Sequence, residues 1–279
     1  MRKLICNHNS KVHPMPIQTV NNIKIYYEQH GSGDDLILIG GLTSDHQVWK
    51  STLREFAKHF RVTIFDNRGA GQSDTPDYPY TMEMMANDTL QLMAALSISR
   101  AHIVGHSMGG GIAQQIALMA PEKINKLAIV CSRSKPNALA KIVFSTREKL
   151  IEKNVGDDLV AQYMMPFLFG NDFLNKPLLT KGFIQWTLRN PFPQSALGYQ
   201  HQLQASNQRD FSDQLSQITT PTLVIAGEED MLMRPKQAEI MSKALKNGTF
   251  VMIPNCAHMP HVEKSKEFLD IILQFLAST

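Results

Sequence analysis

The feature that most constrains this chain is an apolar run at 101–105 that passes through Gly105-His106-Ser107-Met108-Gly109 directly into a helix-forming stretch at 108–119. A strand that becomes a helix across one residue leaves no room for side chains on either flank. Here glycines stand two before and two after the serine, where a Cβ would collide. Such a turn holds Ser107 above the carboxyl edge of a sheet. The helix start behind it offers unpaired backbone N–H groups and the positive end of a dipole, both suited to a developing oxyanion.

A sheet edge of this kind needs strands on either side, and the flanking sequence predicts them. Runs at 23–29, 36–39, 62–65 and 127–131 read as strands, and apolar stripes at 49–59 and 81–96 as helices. After an interruption the rhythm resumes with a strand at 222–226, a helix at 235–245, a strand at 249–253 and a last helix at 262–277. The βα alternation predicts an α/β fold with a mostly parallel central sheet and helices on both faces.

From 133 to 210 no buried strand is evident, and this stretch holds Met164, Met165, Phe167, Phe169, Phe173, Phe183, Trp186 and Phe192. It reads as a helical cap inserted into a core made of 17–132 and 211–279, with 1–16 a loose tail. The insertion carries ten basic and six acidic residues, a net +4 within a chain whose total is +3. A solvated helical surface accounts for that charge, and an anionic substrate or an acidic carrier protein docking on the insertion is also compatible.

Composition excludes several classes. Hydrophobic residues at 43% and charged residues at 19% are ordinary globular usage, and no window holds the roughly 18 uninterrupted apolar residues of a membrane span. Dense Lys/Arg runs are absent, which argues against nucleic-acid binding. Cys6, Cys131 and Cys256 are too far apart for a disulfide framework or a metal-ligand spacing, so no metal is expected. The first residues lack an apolar signal core, and a cytoplasmic location is expected. Gly69-Ala70-Gly71 lacks the third glycine of a dinucleotide fingerprint, and no cofactor is expected.

A serine hydroxyl needs a base oriented by a carboxylate. Downstream of Ser107, acids follow the 222–226 strand in Gly227-Glu228-Glu229-Asp230, and His258 follows the 249–253 strand. All fall at carboxyl ends of predicted parallel strands, where open α/β sheets place their sites.

With these residues in place, the chain resembles the α/β-hydrolase fold superfamily in its cofactor-free serine esterase and lactonase branch, from residue 23 onward. The resemblance assigns Ser107 as nucleophile, His258 as base and Asp230 as acid, with Glu228 and Glu229 as rivals for the acid. It implies an oxyanion hole from the Leu42 and Met108 amides, although Gly40-Gly41-Leu42 has Gly40 where the family usually has histidine. The block Asp66-Asn67-Arg68-Gly69-Ala70-Gly71-Gln72-Ser73 also matches the family and is expected to organise a loop. His258 to Glu263 resembles the family's Gly-His-x-x-x-x-Glu ending, with Ala257 for the glycine and His261 opening the last helix or lining the pocket rim. His30, His46, His59 and His201 are expected at the surface or behind the site.

The activity implied is hydrolysis of a carboxylic ester or lactone of a small or medium apolar substrate through an acyl-enzyme, with Phe167, Phe169 and Trp186 lining the pocket. Carbon–carbon bond hydrolysis of ring-cleavage products, and an esterase for a pimeloyl methyl ester on acyl carrier protein, use the same residues. An intact Ser, His and Asp set argues against a non-catalytic binding role.

Overall fold

The computed structural model describes residues 16–278. Of the expected tail at 1–16, residues 1–15, including Cys6, lie outside the described residues. An antiparallel pair, β1 (Ile17–Val20) and β2 (Ile23–His30), precedes β3 (Asp35–Ile39), α1 (Lys50–Phe56), β4 (Arg61–Phe65), α2 (Met82–Ala95), β5 (Ala101–His106), α3 (Met108–Met119) and β6 (Ile124–Val130). Five helices follow: α4 (Ala138–Glu152), α5 (Asp157–Leu168), α6 (Asn171–Leu174), α7 (Pro177–Leu188) and α8 (Ala196–Gln208). The sheet is completed by β7 (Thr222–Gly227), α9 (Pro235–Ala244) and β8 (Gly248–Ile253), before α10 (Pro260–Glu263) and α11 (Ser265–Ala277).

The 8 strands form one sheet in the order β1-β2-β4-β3-β5-β6-β7-β8, antiparallel only where β2 meets β1 and β4. Alternation along the strands sorts the core. Ile37 and Ile39 of β3 face α2, α3 and α9, whereas Leu36 and Leu38 face α1 and α11. Both faces are covered, as a parallel sheet requires. A third apolar cluster lies where α4, α5 and α8 meet the loops after β3 and β7, and it joins Val143, Phe144, Met164 and Tyr199 to Leu42, Leu232 and Met233.

Three elements differ from the expectation. β1 was not anticipated, because four residues with an exposed Ile17 give too little alternation to read. The 49–59 stripe starts on the last residue of a tight turn at His46–Trp49, and its helix, α1, ends three residues early, at Phe56. The terminal helix breaks at Lys264, where φ −131° and ψ 48° leave the helical region. The break follows Glu263, whose side chain turns inward to accept backbone N–H groups of the preceding loop.

Candidate active site

β5 ends at His106, and Ser107 occupies a left-handed backbone conformation, φ 55° and ψ −114°, that a non-glycine residue holds only under constraint. The constraint is visible on both sides. A Cβ on Gly105 would lie 2.4 Å from the Gly109 carbonyl oxygen, and one on Gly109 would lie 2.2 Å from that of Ile39. Hydrogen bonds fix the turn: Ser107 N–H donates to the Val130 carbonyl at 2.9 Å, and Ser132 Oγ donates to the Ser107 carbonyl at 2.6 Å.

The other two candidates reach the same edge from β7 and β8. Asp230 closes a turn on the Gly227 carbonyl, and its Oδ1 accepts the Met233 N–H at 2.8 Å. Asp230 Oδ2 is left 2.8 Å from His258 Nδ1, and His258 Nε2 lies 3.0 Å from Ser107 Oγ. Asp230 and His258 are each 2% exposed and Ser107 is 6% exposed, so the hydrogen-bonded chain runs where water screens it weakly. The rival acids point elsewhere: Glu228 accepts the Asn255 N–H, and Glu229 accepts the Asn171 N–H at the start of α6.

The loop carrying His258 is held by groups the sequence reading did not single out for that role. Glu263 takes the backbone N–H of Ala257 at 3.0 Å, of Met259 at 3.3 Å and of Gly170 at 2.7 Å, bracketing the histidine. Burial raises its carboxyl pKa, against the pull of those N–H donors. His106, inside the elbow motif, donates from Nε2 to the His258 carbonyl at 2.8 Å. His261 is not at a pocket rim. It is fully buried, its ring packed between Trp49, His106 and Phe268. Burial lowers the pKa of His106 far below the ordinary histidine value and that of His261 to about 3, and His258 adds to both shifts, so both rings stay neutral beside His258.

Cys131, just past β6, was also missed as a neighbour. Its Sγ, an Asp230 oxygen and a His258 nitrogen lie within 4.8 Å of one another. Its one sequence signal is its place at a parallel strand's carboxyl end. Burial, reinforced by Asp230, pushes the thiol pKa up and keeps it protonated. A second set of possible metal ligands, Asp45, His46 and Asp66, is engaged internally: Asp66 accepts the His46 and Gln72 backbone N–H groups, and Asp45 accepts that of Gln47.

Gly41 approaches Ser107 closely enough that a Cβ would sit 3.0 Å from the serine Cβ, which brings the following residue, Leu42, alongside the elbow. Leu42 N–H has no protein acceptor among the described residues. Met108 N–H opens α3, where no carbonyl one turn earlier exists to receive it. The Asp66 to Ser73 block supports α8. Arg68 forms a buried bidentate pair with Asp88 at 2.6 and 2.7 Å, and its carbonyl accepts from Gln202 of α8.

The expected pocket residues separate. Phe167 joins the cluster that contains Leu42. Phe169 does not line it. It stacks on Phe173 at 4.1 Å in the core beneath the His258 loop, because the Leu168 carbonyl is tied to His258 N–H and turns the next side chain inward. Trp186 is 41% exposed on α7 and lines an outer groove with Lys176 and Leu179, away from Ser107. That cluster is otherwise built from Val143, Phe144, Met164, Tyr199, Leu232 and Met233, of which the sequence reading names only Met164. Among the four histidines set aside, His30 and His59 are partly exposed, whereas His46 and His201 are buried.

A mostly parallel sheet with a strained serine elbow at its carboxyl edge, and helices inserted between β6 and β7, defines an α/β-hydrolase fold. The chain belongs to the alpha/beta hydrolase fold family, whose model matches residues 36–265. Among its relatives, the protein named "Putative carbamate hydrolase RutD" of Pseudomonas syringae pv. syringae (strain B728a) is 30% identical over 253 residues, 90% of this chain and 96% of that protein. The enol-lactonase from Burkholderia xenovorans LB400 superposes with a TM-score of 0.85 at 25% identity, covering 94% of this chain and 100% of the other. A thermophilic esterase from Thermogutta terrifontis, solved with malate bound, gives 0.81 at 27% identity over 94% and 96% of the two chains. No helix among the described residues is long and apolar enough to cross a membrane.

Proposed function

We propose that this chain is a serine hydrolase that cleaves a carboxylic ester or lactone through an acyl-enzyme. Ser107 Oγ attacks the carbonyl carbon while His258 Nε2 takes its proton. Asp230 holds the imidazolium through Nδ1, and the Leu42 and Met108 amides receive the oxyanion. Collapse of the tetrahedral intermediate returns the proton to the departing alcohol, and water repeats the sequence to free the acid. In this reading α4 to α8 act as a cap spanning 133–210, and the cluster of Phe144, Met164, Phe167, Tyr199, Leu232 and Met233 receives the apolar part of the substrate.

The observation that carries the proposal is the uninterrupted relay, 3.0 Å from Ser107 Oγ to His258 Nε2 and 2.8 Å from His258 Nδ1 to Asp230. A fluorophosphonate probe should label the wild-type protein and not Ser107→Ala. A panel of p-nitrophenyl esters and five-membered lactones then ranks substrates. Absence of both labelling and turnover overturns the reading. The relative's name supports a second substrate, a carbamate, because the same attack on a carbamoyl carbon yields a carbamoyl-enzyme. Slow recovery from that intermediate, seen as a burst with p-nitrophenyl carbamates, separates the two.

A further inference from the structure

Two buried guanidinium groups, one of them packed against α3, have no counter-charge among the described residues. Arg133 is 4% exposed and Arg209 is 5% exposed. Neither forms an ion pair among the described residues, and residues 1–15 contain no Asp or Glu that could supply one. Arg133 Nε and Nη1 and Arg209 Nε are enclosed with no acceptor. The contacts Arg209 does make are to uncharged acceptors, the Met82 sulfur at 3.9 Å and the Arg133 carbonyl at 3.2 Å. Burial pushes the pKa of Arg209 down to about 9, with Arg133 adding to the fall, and burial pushes that of Arg133 down to about 10. The two charges therefore oppose each other as well as the apolar surroundings.

The fold makes room for this costly arrangement. A Cβ on Gly111 would lie 1.9 Å from Arg209 Nη1, so the third glycine after Met108 is what lets the guanidinium lie against the helix. That turn already carries the positive end of the α3 dipole. Two buried cations without an anion are incomplete, since a buried charge is tolerated when paired. The position is close to the nucleophile. Gly111 is one turn (~5.4 Å) along α3 from Ser107, and Arg133 follows Ser132, whose hydroxyl bonds the Ser107 carbonyl at 2.6 Å.

We propose that Arg133 and Arg209, beside α3, form a carboxylate-binding subsite, and that the carboxylate is carried by the substrate at the end remote from the scissile bond. This rests on the hydrolase reading for its source of ligand. It deepens that reading by naming the substrate class, a half-ester or lactone of a short diacid about five carbons long, which spans roughly one helical turn. A carboxylate accepts paired, charge-assisted N–H donors from a guanidinium, which a neutral ester cannot match.

The test uses glutarate as probe and two esters as substrates. In Ser107→Ala, which cannot turn over, glutarate should raise the melting temperature saturably, and the Arg133→Met/Arg209→Met double variant of that protein should lose the response. In the active protein, the kcat/KM ratio of mono-p-nitrophenyl glutarate to p-nitrophenyl butyrate should fall about tenfold to hundredfold in the double variant. Glutarate should inhibit competitively against both esters. If the double variant does not fold, Arg209→Lys, which keeps the charge and loses the planar fork, should reduce both readouts by about tenfold. An unchanged ratio, absence of a glutarate response, or non-competitive inhibition overturns the substrate subsite and leaves the hydrolase reading standing. A glutarate response in a wild-type protein that hydrolyses neither ester overturns the hydrolase reading and leaves the anion site.

Discussion

At the scale of single residues, the proposed chemistry depends on one proton moving between Ser107 and His258, so substitutions there separate folding from activity. Ser107→Ala should keep the fold, since Gly105 and Gly109 set the turn, and should lower ester turnover by a factor on the order of 10⁴ to 10⁶. p-Nitrophenyl acetate turnover above that of free imidazole would falsify the assignment of the nucleophile. Asp230→Asn should cost about 10⁴ through the wrong imidazole tautomer. Glu228→Gln and Glu229→Gln should cost little in kcat, because those carboxylates accept from Asn255 and Asn171 rather than facing His258. The three residues were legible in the sequence because each is bound to a backbone requirement: glycines at a tight turn, or a loop at a strand's carboxyl end. The neighbours that hold them were not. His106 and Cys131 carry no local signature of the contacts they make, since His106 bonds the His258 carbonyl and the Cys131 thiol the Ala257 carbonyl, 152 and 126 positions away along the chain.

At the scale of elements, α10 shows how packing can override a sequence signal. A histidine in the last loop reads as polar and exposed, yet His261 lies inside a cluster of Trp49, His106 and Phe268 with both ring nitrogens unbonded. Its pKa of about 3 in the folded protein is below the ordinary histidine value of 6.5. Between those values the unfolded chain binds a proton that the native state excludes, so stability is complete above pH 6.5 and declines as the pH falls toward 3. At pH 5 the loss from this group is about 2 kcal/mol, and His106, lowered for the same reason, adds to it. The melting temperature should therefore drop between pH 7.5 and pH 5, and His261→Phe, which deletes no hydrogen bond, should narrow that drop. An identical drop in the variant would mean that other groups set the acid limit. The parallel strands were legible because burial on both faces leaves continuous apolar runs. The β1 edge and the broken last helix were not, being decided by pairing with β2 and by the Glu263 carboxylate.

At the scale of the whole molecule, the sheet positions the proposed reacting groups, and in the proposed reading the inserted helices decide what can reach them. The interrupted rhythm marks the insertion, but the sequence could not tell which of its apolar side chains join the cluster containing Leu42. A helix such as α7 carries Phe183 and Trp186 within one turn of each other, both on the outer groove, yet Phe183 also packs edge-on against Phe169 while Trp186 is exposed. The orientation of α4, α5 and α8 makes the distinction testable. Phe144, Met164 and Leu232 pack in the cluster that includes Leu42, so Phe144→Ala or Met164→Ala should open space for the acyl chain and move the preferred p-nitrophenyl ester to longer chains by one or two carbons. Each added methylene buried there contributes about 0.8 kcal/mol, roughly a fourfold change in kcat/KM per carbon. Trp186→Ala should leave the chain-length profile where it is, because that ring is exposed beside Lys176 and Leu179. The pH profile should be common to all three variants, since none touches His258 or Asp230. A shift in chain-length preference from Trp186→Ala, with none from Met164→Ala, would place the acyl chain in the outer groove and remove the cluster around Leu42 from the substrate path.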